Sequence, residues 1–132
     1  MKRTTRQRSA ISAVIAAAHR PLSPQEILDG AKNTLMAIGM ATVYRNINSL
    51  VAEGLIQEVN LPGENPRFES TGDDHHHHFQ CKVCNRVFQV QGCPGSMKNL
   101  APKGFMVERH ELTLYGQCAD CRRSPVTRSR AK

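Results

Sequence analysis

At 132 residues the chain has room for one ordinary domain or two small ones, and 39% apolar content with no Trp excludes a large aromatic core. Eighteen Lys/Arg against eleven Asp/Glu leave a net charge of +7, which favours a polyanionic partner or a solubilising surface. The longest apolar stretch, Ile11 to Ala18, is too short to span a bilayer, and no signal-peptide h-region follows Met1-Lys2-Arg3, so neither a membrane nor a secreted protein is expected.

Residues 7–19 carry Ile11, Val14, Ile15 and Ala18 at the spacing of an amphipathic helix, which Pro21 ends. Ser23-Pro24-Gln25-Glu26 then reads as a capping box with Pro at the first helical position. The helix it opens puts Ile27, Leu28, Ala31 and Leu35 on one stripe. After the break at Gly39, a third helix is expected from about Ala41 to Glu53, closed by Gly54. Its apolar face is Val43, Ile47, Leu50 and Val51; the opposite face carries Thr42, Arg45, Asn48 and Ser49, with Tyr44 at the border. Beyond Gly54 the period becomes strand-like at Leu55, Ile56 and Val59, then a turn over 61–66 leads into Arg67-Phe68-Glu69. Three short helices followed by a hairpin is the outline of a winged helix-turn-helix, whose last helix enters a DNA major groove. Lys2, Arg3, Arg6 and Arg8 before it, with Arg45 on the third helix, supply cations for phosphates, and Thr42, Tyr44 and Arg45 stand where base edges are read.

A composition shift near Arg67 to Asp74 divides the chain, so the expected domains are 1–66, 67–121 and a basic disordered tail, 122–132. Past the shift, Val87 to Val90, Phe105 to Val107 and Leu112 to Tyr115 read as strands, around a weak helical stretch near Ser96 to Leu100. The overall class is α+β. Cys81-x-x-Cys84 and Cys118-x-x-Cys121 are two thiolate edges that together complete a tetrahedral structural zinc site, in a domain too small to rest on core burial alone. A disulfide framework is disfavoured without an export signal. His75-His76-His77-His78 stands just before Cys81; in an extended chain His75 and His77 face one side and His76 and His78 the other, two imidazoles towards each site. Glu69, Asp73 and Asp74 lie upstream as further oxygen donors. His110 leads towards Cys118, and Cys93 is either a soft ligand or a small buried side chain. No nucleophile elbow, P-loop, dinucleotide fingerprint or His-Glu-x-x-His is present, so no enzyme and no small organic substrate are expected. The rivals from other classes are a zinc hydrolase with Glu108 or Glu111 as base and a zinc-stapled nucleic-acid binder that senses nothing.

Ala41-Thr42-Val43-Tyr44-Arg45, Arg67-Phe68-Glu69, the His75–His78 run with Cys81-x-x-Cys84, and His110 with Leu114-Tyr115-Gly116-x-Cys118 resemble the ferric uptake regulator superfamily over nearly the whole chain. The resemblance implies a cytoplasmic homodimer with an N-terminal winged-helix domain and a C-terminal α/β dimerisation domain. It also implies that a divalent metal fixes the winged helices at the spacing of a palindromic operator, usually to repress transcription. By position, it assigns Cys81, Cys84, Cys118 and Cys121 to structural Zn2+, Glu69, His76 and His78 to a regulatory hinge site, and His75, His77 and His110 to an additional site.

This chain also departs from the family. Gln89 stands where iron and manganese sensors usually place a carboxylate, and Pro21 where many place a His, so His19 is the nearby substitute. Ser96 stands where the additional site usually has Glu, and Cys93 lies close enough to replace it. Fewer hard ligands and one thiolate tilt the second metal towards Zn2+ over Fe2+ or Mn2+. Peroxide or iron sensing on the same fold is the alternative.

Overall fold

The structure, a computed structural model, describes residues 5–72, 76–93, 95 and 97–123. The chain divides into two units, Met1–Asp73 and Asp74–Lys132.

In the first unit, Thr5 caps α1 (Arg6–Ala18) by accepting the Arg8 N–H at 3.0 Å, and His19 closes it in the left-handed region at φ 54°. Around α2 (Pro24–Ala31) the capping box is complete: Ser23 Oγ accepts the Glu26 N–H at 3.1 Å, and Glu26 Oε1 accepts the Ser23 N–H at 2.9 Å. α3 (Met40–Ala52) ends on Gly54 at φ 77°, with Gly54 N–H donating to Val51 O at 2.9 Å and Leu55 N–H to Leu50 O at 3.0 Å. That pair of bonds is a Schellman motif, which needs a residue free to take positive φ at Gly54. β1 (Ile56–Val59) and β2 (Arg67–Ser70) then pair antiparallel, with Gln57 opposite Glu69, and Leu22 bridges to Phe68 on the other edge.

The expected helical stripes meet in one core of Ile11, Ile15, Leu22, Ile27, Leu28, Ala31, Ile38, Val43, Ile47, Leu50, Ile56 and Phe68. Each aliphatic side chain removed from water there contributes roughly 1.5–3 kcal/mol. Leu35 packs against it from beyond the end of α2, whereas Val51 is exposed. Across the helices, Arg8 ties α1 to α3, donating to Glu53 at 2.6 Å and Ser49 at 3.0 Å.

The second unit is a three-stranded sheet in the order β4-β3-β5. β3 (His77–Cys81) pairs antiparallel with β4 (Val87–Val90) and parallel with β5 (Thr113–Gly116). A 3-10 turn at Lys98–Leu100 and the helix α4 (Ala119–Arg123) complete it. Its buried cluster is made of Cys81, Cys118 and Cys121, with Phe79, Val83, Cys84 and Phe88 packed against them.

Three expectations change. The division falls at Asp73/Asp74 rather than after Pro66, because β2 completes a hairpin with β1 and so belongs to the helical unit. Phe105 to Val107 is not a strand: the segment pairs with none of β3, β4 and β5, and Phe105 and Met106 are 71% and 80% exposed. The tail does not begin at Arg122, since Arg122 and Arg123 close α4; residues 124–132 lie outside the described residues. Among the described residues, no helix is long and apolar enough to cross a membrane.

Candidate metal centres

The tight turn after β3 presents Cys81 and Cys84, and the start of α4 presents Cys118 and Cys121 to the same point. Cys81 and Cys121 sulfurs are 3.7 Å apart and those of Cys84 and Cys118 3.9 Å. With Zn–S bonds of about 2.3 Å, a tetrahedral site sets sulfurs about 3.8 Å apart, so the donors already fit the ion. A disulfide needs about 2.05 Å, and all five cysteines are free thiols.

The surroundings favour the ligating form. Cys81 Sγ accepts N–H bonds from Val83 and Cys84 at 3.4 Å and Cys118 at 3.3 Å. Burial opposes ionisation of Cys81, but the N–H groups of Cys84, Cys118 and Val83 outweigh it and bring the thiol down to about 6. Burial also opposes ionisation of Cys84, and the Arg86 guanidinium reverses that, leaving its thiol below the ordinary value. Cys121 goes the other way, pushed up to about 12 by burial and by the neighbouring sulfurs. Four thiols at one point cannot all ionise without a cation, which is the condition a bound metal meets.

Arg86 was not legible as a functional residue. It donates to Cys84 Sγ at 3.2 Å, reaches Cys118 Sγ at 3.6 Å, and pairs with Asp120 at 3.3 Å. A basic residue two places after a Cys-x-x-Cys turn is the signal that would have found it.

The alternation expected of the His run is present in β3. His77 is buried on one side, its Nε2 3.3 Å from Cys93 Sγ, which in turn is 3.2 Å from His110 Nε2. Gly92, at φ 96°, turns the loop after β4 so that Cys93 comes back beside β3. With Zn–N near 2.0 Å and Zn–S near 2.3 Å, a tetrahedral edge between them is about 3.5 Å, so these three donors also suit one ion. His76 and His78 occupy the other side, with ring centroids 5.0 Å apart, and Gln89 is the cross-strand neighbour of His78. His75 and Ser96, assigned to the additional site or its vicinity, lie outside the described residues, as do Asp73 and Asp74.

In the helical unit, Glu69 is buried in β2 and accepts a bond from Gln57 Nε2 at 2.8 Å, a partner the sequence did not suggest. His19 is exposed at the end of α1 and joins no cluster of donors among the described residues. Tyr44 and Arg45 are exposed on α3, and Thr42 Oγ1 accepts from Arg45 at 3.3 Å, which steadies the guanidinium. Arg6 is exposed, whereas Arg8 is spent on Glu53 and Ser49; Lys2 and Arg3 lie outside the described residues.

The chain matches the model of the ferric uptake regulator family over residues 1–115. It is 29% identical over 130 residues to the transcriptional regulator FurA of Mycobacterium tuberculosis, covering 96% of this chain and 88% of that protein. It is 31% identical over 123 residues to the zinc uptake regulation protein of the same organism, covering 91% and 95%. Among solved structures, the ferric uptake regulator of Francisella tularensis with iron superposes with a TM-score of 0.69 at 27% identity, over 92% of this chain and 95% of that one. These relatives are regulators, so the Glu108/Glu111 hydrolase reading falls away.

Proposed function

This chain belongs to the ferric uptake regulator family, a family of metal-responsive transcriptional regulators, and from that premise we propose that it is a cytoplasmic, homodimeric repressor that binds a palindromic operator when a divalent metal, Zn2+ in preference to Fe2+ or Mn2+, occupies its His-rich regulatory site. The observation that carries this reading is the two-sided display of imidazoles at the start of β3, His77 to one side and His76, just before the strand, with His78 to the other, next to a separate thiol cluster.

The roles divide by residue. Cys81, Cys84, Cys118 and Cys121 hold a structural Zn2+ that takes the place of a core in the second unit. Glu69, from the helical unit, joins His76 and His78 at the regulatory site, and His75, His77, Cys93 and His110 form the additional one. A divalent ion there supplies a positive centre that both units can grip at once. By sharing it, Glu69 and the two histidines restrict the orientations the units sample. Gln89 beside His78 is a neutral, weak donor where hard cations favour a carboxylate, which supports zinc.

The first three helices and the β1–β2 hairpin act as a winged helix. Arg45 and Tyr44 on α3 read a guanine edge and a thymine methyl, with Thr42 steadying Arg45. Lys2, Arg3 and Arg6 contact phosphates. Arg8 acts by fixing α3 to α1. For the homodimer, β5 is an edge strand among the described residues, and its Leu114 and Tyr115 are 43% and 49% exposed.

The test is His76→Ala combined with His78→Ala. The double variant is expected to lose the metal-dependent gain in DNA affinity, a coupling of about 1–3 kcal/mol or roughly 5–150-fold, while keeping the cysteine-bound zinc. Fluorescence anisotropy with buffered free metal reads the first and bound metal per chain the second. Undiminished metal dependence would remove the hinge mechanism.

A further inference from the structure

We infer that the His77–Cys93–His110 cluster is an oxidant-gated metal site, which holds a thiophilic, four-coordinate cation of the zinc class and loses it when a hydroperoxide oxidises Cys93. This rests on the reading of the cluster as a metal site and adds its regulation.

The three donors come from β3, from the loop after β4, and from the approach to β5, so no local turn explains their meeting. His77 is 2% exposed and held by the sheet, and Cys93 Sγ lies between the two imidazoles at 3.3 and 3.2 Å. Two imidazoles and a thiolate suit zinc better than iron or manganese. Within the cluster Cys93 is the donor that carries negative charge; the imidazoles ligate as neutral groups. Affinity therefore depends on the state of a single sulfur.

That sulfur is also the accessible one. Cys93 is exposed, whereas Cys81, Cys118 and Cys121 are buried and Cys84 is half-buried. Arg86 bonds to Cys84 and Cys118, and three backbone N–H groups bond to Cys81, so electron density on those sulfurs is already engaged. Cys93 Sγ accepts a weaker N–H contact from Gly95 at 3.5 Å. A hydroperoxide reaches Cys93 first.

In the step, the Cys93 thiolate attacks the terminal peroxide oxygen. An S–O bond forms as the O–O bond breaks, sulfur loses two electrons, and the departing oxide takes a proton from water. The products are a neutral sulfenic acid, a molecule of water or alcohol, and the hydroxide left when the solvent water gave up its proton. Without the anionic sulfur, the remaining neutral imidazoles hold the cation too weakly to keep it, and a thiol reductant restores the site.

The experiment uses the full chain loaded with Zn2+ and treated with hydrogen peroxide. Released zinc is followed with a chromophoric chelator, and peptides are weighed for added oxygen. The wild type is expected to release a single zinc equivalent in a fast phase, in step with one oxygen on Cys93, and to take it back after reduction. Cys93→Ser is expected to carry one zinc fewer at the outset and to lack the fast phase. Equal zinc in the two proteins before peroxide would defeat the metal-site reading itself. A wild type that carries the extra zinc but keeps it through Cys93 oxidation, or that is oxidised first at the paired cysteines, would overturn the gating alone.

Discussion

In the helical unit, twelve residues from Ile11 to Phe68 close a core of aliphatic side chains and a single phenylalanine, whereas in the second unit the buried cluster is Cys81, Cys118 and Cys121 with two phenylalanines, Val83 and Cys84 around it. The first has a core of hydrocarbon, whose contribution comes from area removed from water and calls for no ion. The second has replaced hydrocarbon by four sulfurs whose separations match a tetrahedral zinc, so its folding is expected to depend on metal occupancy. One chain thus joins a part whose core is hydrocarbon, carrying the exposed Tyr44 and Arg45, to a part whose core is made of metal-ligating thiols.

The largest effect that can break this contrast comes from taking the metal away. Strong chelation, or Cys118→Ser, is expected to cost the second unit essentially all of its stability while the helical unit stays folded. In a heteronuclear NMR spectrum the amides of β3, β4 and β5 should collapse to coil positions while those of α1, α2 and α3 persist. Loss of both sets together would show that the helical unit leans on the other. The converse perturbation is Ile47→Ala, which opens a cavity at a fully buried site and is expected to cost about 2–5 kcal/mol in urea unfolding of the helical unit. Cysteine-bound zinc per chain should not change.

A smaller effect sharpens the contrast further. Burial opposes ionisation of Glu26, but the bond from Arg20 at 2.7 Å, the Ser23 N–H and the charges of Arg20 and Arg67 prevail, so its carboxyl titrates below 4.5. A carboxylate depressed in the folded state adds stability that is fully present above the unfolded value and is lost as pH falls through the folded one. Stability of the helical unit is therefore expected to decline in acid below about pH 4.5, and Glu26→Gln to flatten that decline. An unchanged acid profile in the variant would place the titrating group elsewhere.

Much of this was legible because local chemistry and tertiary structure agree. The Ser23–Glu26 box, the Gly54 stop and the period of Val43, Ile47 and Leu50 each announce an element that exists. The alternation of the His run follows from strand geometry alone and reappears as His77 towards Cys93 against His76 towards His78. What could not be read was long-range pairing. Phe105 to Val107 has a strand's composition, yet a strand needs a neighbour, and β3 takes β5 instead. The composition change falls before the true boundary because it marks where cysteine and histidine begin to collect, not where β2 finds its partner. Arg8 reads in the sequence as one more cation of the basic arm, but Glu53, far along the chain, holds it.

On the proposed reading, metal at the imidazole sites turns on DNA binding. This is tested most directly by incubating the zinc-loaded full chain with a pool of random-sequence duplexes, with and without a mild chelator that spares the cysteine-bound zinc, and sequencing the retained DNA. Duplexes enriched in an inverted repeat are expected to be retained only while the weaker sites are filled. The same repeat recovered equally well after those sites are stripped would contradict it.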